Sequence, residues 1–133
     1  MRKAAIALIT ATALLGAPAV QAKAKPTGEE KLAKVLEGRE AGEPVDCISL
    51  SQSRDARIID RTAIVYGRGN TIYVNRPVNA KDLDSDDVMV TETSLSRLCK
   101  LDTIRMRDRS QFFFTGFVGL EKFVPYRRIA QKD

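Results

Sequence analysis

Residues 56–75 read ARIIDRTAIVYGRGNTIYVN, and this stretch decides the fold. The β-branched residues Ile58, Ile59, Ile64 and Val65 predict a strand over 56–66. Gly67-Arg68-Gly69-Asn70 is a glycine-rich turn, and Thr71 to Asn75 is a second strand. With 67–70 as the loop, Tyr66 faces Thr71, Val65 faces Ile72 and Ala63 faces Val74. An apolar row then lies on one face of the hairpin, with Ile64 and Tyr73 on the other. Apolar residues on both faces predict an interior hairpin, covered on each side.

Upstream of the hairpin, Thr27-Gly28-Glu29-Glu30 fits a capping box, in which Thr27 caps the helix and Glu30 reaches back to it. Leu32, Val35 and Leu36 form one apolar stripe, and Gly38 suits the stop, so residues 28–37 are predicted to be a short amphipathic helix. Residues 39–44 read as a turn or linker, followed by an apolar stretch, 45–50, that carries Cys47.

Downstream, residues 76–80 are loop, with Pro77 barring central pairing. An acidic stretch precedes a third strand at Val88-Met89-Val90, and residues 94–101 read as a helical turn or loop carrying Cys99. Residues 103–107 alternate as a strand, 108–111 are a turn, and 112–118 are the next strand, with Gly116 and Gly119 marking a bulge or bend. Residues 120–126 add a last short strand and 127–133 a tail. The pattern predicts an α+β fold: a short N-terminal helix packed on an antiparallel sheet of about five strands, with a small β-barrel as the alternative.

The first 22 residues carry a different signal. Met1-Arg2-Lys3 is cationic, Ala4 to Ala17 is uncharged and largely apolar, and Val20-Gln21-Ala22 offers small residues at a cleavage site. That order predicts a bacterial signal peptide cut after Ala22, hence a periplasmic or secreted protein. The apolar run is too short and alanine-rich for a stable membrane span. Cleavage leaves 111 of 133 residues, 23–133, enough for one small domain. The mature chain has 20 basic against 17 acidic residues, a net +3, too mild to suggest a nucleic-acid partner.

Export makes the two cysteines, Cys47 and Cys99, a predicted disulfide closing 53 residues. The chain has no His, which removes the usual general base and most zinc and copper sites. With the thiols bridged, no thiolate nucleophile remains. No catalytic residue, metal ligand or cofactor is assigned. The run Asp82 to Asp87 resembles a calcium loop, but positions 6 and 12 are Asp87 and Thr93 rather than Gly and Glu, so it reads as a solvated turn. Asp60, Asp102 and Asp108 have no spacing that fixes a carboxylate pair, and no motif frames Ser94, Ser96 and Lys100.

The remaining candidate is a ligand-binding patch on the hairpin of residues 103–118. With 108–111 as its loop, Arg105, Arg107, Phe112 and Phe114 share one face, opposite Ile104, Met106 and Phe113. Guanidinium groups beside aromatic rings hold anionic or sugar-containing ligands. Arginine stems also simply cover phenylalanines and face water. Candidate partners are an anionic or glycan envelope component or another periplasmic protein.

The segments LEGREAGEPVDCISL (36–50), RIIDRTAIVYGRGNTIYVNRP (57–77), LCKLD (98–102) and GFVGLEKFVPY (116–126) resemble a group of small exported proteins of sphingomonad-type and related proteobacteria, classed as a domain of unknown function. The resemblance implies export and a single domain. It brings no activity, cofactor or catalytic residue. The functional expectation is an exported, non-catalytic envelope protein with a binding or structural role, the alternative being a weak or unrecognised hydrolase acting on envelope glycans.

Overall fold

The computed structural model describes residues 15–130; most of the predicted signal peptide, residues 1–14, lies outside the described residues. Residues 15–26 carry no regular structure. Thr27 caps helix α1 (Gly28–Val35) as the sequence requires: its hydroxyl accepts the Glu30 N–H at 3.2 Å, and the Glu30 carboxylate accepts the Thr27 N–H at 2.7 Å. The helix ends two residues earlier than predicted, with Leu36 as its C-cap. Gly38 then takes a left-handed conformation, φ +72°, that turns the chain into a strand.

Ten short strands follow among the described residues: β1 (Arg39–Ala41), β2 (Cys47–Ser49), β3 (Arg57–Ile59), β4 (Ala63–Tyr66), β5 (Thr71–Asn75), β6 (Asp87–Thr91), β7 (Arg97–Cys99), β8 (Thr103–Asp108), β9 (Phe114–Gly119) and β10 (Phe123–Arg128). They form three antiparallel sheets, ordered β1-β10-β5-β4-β3, β2-β7 and β6-β8-β9. The fold is α+β, and its largest sheet has five strands, but the predicted single sheet is three. No sheet closes into a barrel. Among the described residues no helix is long and apolar enough to cross a membrane.

The predicted interior hairpin is β4–β5, central in its sheet. Its register differs by two residues: Tyr66 opposes Tyr73 and Val65 opposes Val74. Thr71 and Ile72 are instead paired with Arg127 and Tyr126 of β10. A two-residue slip returns each side chain to its original face. The expected segregation therefore survives: Ala63, Val65, Ile72 and Val74 form one cluster, while Ile64, Tyr66 and Tyr73 join another.

Three predicted segments are corrected. Residues 56–66 are a hairpin rather than one strand, because a turn at Asp60–Thr62 reverses the chain with Arg61 at φ +54°. That turn has no Gly, Asn or Pro to announce it. Residues 39–41, read as linker, pair with β10, where Glu40 opposes Arg127. Residues 97–99, read as a helical turn or loop, pair with β2, placing buried Ile48 opposite buried Leu98. Pairing across such distances in sequence overrides weak local propensity.

The five-stranded sheet has a core on each face. On one side Leu32 of α1, flanked by Val35 and Leu36, packs on Ala63, Val65, Ile72 and Val74. On the other, Ile64, Tyr66 and Phe123 meet Ile48, Leu98, Ile104, Met106 and Val118 from the two smaller sheets. Cys47 and Cys99 oppose one another in β2–β7 and form the predicted disulfide. The hydrogen bond from the Lys100 N–H to the Asp46 carbonyl, 2.7 Å, makes this a non-hydrogen-bonded pair, the kind in which facing residues approach most closely.

Candidate binding surface

Strand β8 lies between β6 and β9, so its alternate side chains divide between the core and the outer face. Ile104 and Met106 are buried, as predicted, and Arg105 and Arg107 stand on the outer face. Two rows cross that face: Val88–Arg107–Phe114 and Val90–Arg105–Phe117.

The β8–β9 pairing departs from the predicted one. Arg107 opposes Phe114, and then Met106 opposes Gly116, leaving Thr115 as the extra residue of a bulge. The Thr115 hydroxyl donates to the Asp87 carboxylate at 2.7 Å. The turn before β9 runs further than 108–111, because the Asp108 carboxylate accepts the N–H groups of Ser110 and Gln111, and the Phe112 N–H reaches the Asp108 carbonyl. Phe112 thus sits in the turn with φ +57° rather than in the strand. Phe113, predicted beside Ile104 and Met106, is exposed.

Four phenylalanines are consequently open to solvent: Phe112 at 60%, Phe113 at 54%, and Phe114 and Phe117 at 49% each. The rings of Phe114 and Phe117 meet edge to face, 4.7 Å between centroids. Phe117 is the member that sequence reasoning missed; Gly116 as a bulge signal marks the slip that brings it opposite Arg105. The arginines are already engaged. Arg105 Nη1 lies 3.1 Å from Glu92 Oε1, and Arg107 Nη1 donates to the Phe112 carbonyl at 2.9 Å. Glu92, Thr103, Arg105 and Phe117 line a shallow cavity of about 590 Å³. The surface is aromatic first and cationic second.

The acidic groups considered in the sequence serve as turn caps. Asp60 accepts the Ser85 N–H at 2.6 Å, and that bond, with a smaller contribution from Lys31, holds its carboxyl below the usual range. Asp102 accepts the Cys99 N–H at 2.7 Å, and Asp84 that of Asp86 at 2.9 Å. Lys100 pairs with Asp46.

A groove of about 610 Å³ lies between the edge strands β3 and β6, with Ile58, Tyr66 and Met89 among its lining residues. The buried Tyr66 hydroxyl has no hydrogen-bond partner among the described residues, and burial raises its pKa. Removing that hydroxyl relieves an unmet desolvation cost, so Tyr66→Phe is expected to raise stability by about 1 kcal/mol. Urea denaturation of the two proteins checks this; a comparable loss would mean that the hydroxyl has a partner.

No protein-family model, curated protein or solved structure matches this chain.

Proposed function

We propose that this is an exported, non-catalytic envelope protein that binds another macromolecule through the outer face of the β6-β8-β9 sheet. In this reading residues 1–22 direct export and are cleaved after Ala22, and residues 23–133 act in the periplasm or outside the cell. The charged, apolar and small-residue order of residues 1–22 and the disulfide favour that location.

The observation that carries the binding role is the set of four exposed phenylalanines on one hairpin. Exposed aromatic surface, here with the Phe114 and Phe117 rings in contact, is characteristic of interaction sites. Because Glu92 already answers Arg105, the surface suits an envelope protein or glycan that offers an apolar or sugar-ring face. Arg105 and Arg107 orient the edge of that contact.

Phe114→Ala with Phe117→Ala is expected to weaken binding to an envelope component by more than about tenfold. The variant should melt within a few degrees of the parent, since both side chains are about half exposed. Co-sedimentation with peptidoglycan sacculi, with lipopolysaccharide and with isolated envelope proteins gives the readout. Parent protein that binds none of these, or a folded variant recovered as well as the parent, would overturn the proposal.

A further inference from the structure

Beyond the last turn of α1, the helix-covered face of the five-stranded sheet opens into a cavity of about 460 Å³. Arg39, Arg57, Arg68 and Arg128 surround it, over a floor that includes Val35 and Ile72. Their convergence follows from the topology. Arg39 of β1 and Arg128 of β10 are directly opposed in the ladder. Alternation puts Arg128 on the same face as Tyr126, which packs on the helix-side cluster. Arg57 of β3 opposes Val65 of that cluster. Arg68 comes from the β4–β5 loop.

Like charges directly opposed across a ladder are destabilising. No carboxylate among the described residues relieves them. Among the described residues none lies within ion-pair distance of Arg39, Arg57 or Arg128, and Asp55 reaches only the Nε of Arg68, at 3.5 Å. Glu40 is turned to the opposite face, where it meets Arg127. Glu37 lines an adjoining cavity without forming an ion pair.

Arg39 is fixed in place: its guanidinium donates to the carbonyls of Gly69 at 2.7 Å, Asn70 at 3.1 Å and Tyr126 at 3.4 Å. Burial, and then the charges of Arg128 and Arg57, hold its pKa below the ordinary arginine value. The negative end of the α1 dipole favours nearby cations. One short helix end does not account for four arginines at one opening. Two of them, Arg57 and Arg128, make neither a side-chain hydrogen bond nor an ion pair among the described residues.

The geometry points to this opening as a binding site for a phosphate-class oxyanion, held by the free forks of Arg57 and Arg128 with Arg39 and Arg68 beside them. The planar guanidinium fork matches phosphate oxygens two at a time. An adjoining cavity of about 770 Å³ shares Val35, Arg39 and Arg128 and adds Ile129, leaving room for an organic group attached to the phosphate. The site is on the opposite side of the five-stranded sheet from the phenylalanine surface and is independent of it.

Two probes test the site on the purified exported protein at constant ionic strength. Inorganic phosphate and pyrophosphate are titrated against chloride, following amide shifts of Arg39, Gly69 and Arg128 by NMR. Phosphatidylcholine vesicles with and without phosphatidic acid test a lipid headgroup. Saturable binding of the free anions identifies a soluble ligand, and binding of the acidic vesicles alone identifies a headgroup. Either supports the site provided that Arg57→Ala and Arg128→Ala each weaken binding by about tenfold or more and Arg97→Ala, at the exposed start of β7, does not. Should Arg57→Ala fail to fold, Arg57→Lys, which keeps the charge and loses the fork, replaces it. Binding no stronger than chloride, or arginine variants that bind like the parent, overturns the site.

Discussion

Replacing both cysteines, Cys47→Ser with Cys99→Ser, is expected to remove about 4 kcal/mol of stability, the value that the chain-entropy model gives for a closed loop of this length. The two residues are 52 apart in sequence, so the bridge restricts a large part of the unfolded chain. The local structure makes the same prediction. The β2–β7 sheet has two strands of three residues each, too little to persist alone. Its buried contribution is Ile48 against Leu98, and without the covalent tie only that pair and a few backbone bonds hold it to the core. Against a total stability of roughly 5–15 kcal/mol for a domain, the loss is severe. The melting temperature should fall by on the order of 15 °C. Urea denaturation of the oxidised parent and the double serine variant measures the difference. A loss under about 1 kcal/mol would mean that the bridge constrains little that the core does not already hold.

The parts of the fold legible in the sequence are those in which local chemistry and tertiary packing agree. Thr27 and Glu30 specify a helix start that depends on nothing distant, and the capping box forms. Ala63, Val65, Ile72 and Val74 alternate with Ile64 and Tyr73, so the sequence predicts both faces of the central hairpin although its register is two residues out. Period-2 alternation fixes the face, whereas the pairing partner fixes the register. That partner, β10, arrives from the far end of the chain. Arg39–Ala41 became a strand for the same reason: its sequence carries no β signal, and its ladder exists only because Tyr126–Arg128 lies beside it. The arginine cluster was illegible on similar grounds, since Arg39, Arg57, Arg68 and Arg128 meet only once β1 pairs with β10 and β3 folds back on β4. On the phenylalanine surface, Arg105, Arg107 and Phe114 stand on the face that period-2 alternation predicts. Phe113 lies outside the strand because the turn after Asp108 runs to it, and Phe117 reaches the outer face because one inserted residue, Thr115, shifts the strand beyond it.

Phe123→Ala is expected to cost about 3–5 kcal/mol, the range for truncating a fully buried aromatic side chain. Phe123 has no exposed surface, and its ring packs on Tyr66 with centroids 5.7 Å apart. It stands opposite buried Asn75, whose side chain bonds both the carbonyl and the N–H of Glu121, two residues before it. Its backbone exchanges hydrogen bonds of 2.8 and 2.9 Å with Val45, just ahead of Cys47. Truncation therefore opens a void where β10, β4 and the segment entering the disulfide sheet converge. Phe123→Leu, which keeps most of the volume, should cost less than half as much. The half-exposed Phe114 gives the contrast: its truncation should cost under about 1 kcal/mol, because little of its surface leaves water on folding. Denaturation midpoints of the three variants separate a core phenylalanine from a surface one within the same chain. Equal losses at Phe114 and Phe123 would place the outer face of β9 inside the core and remove it as a binding surface. The Cys47–Cys99 bridge and Phe123 both hold the segment that carries Val45, so combining Phe123→Ala with the two serine substitutions should depart from the sum of their separate costs. The combined loss approaches the whole stability of a small domain, and the triple variant is expected to remain unfolded at 25 °C by circular dichroism.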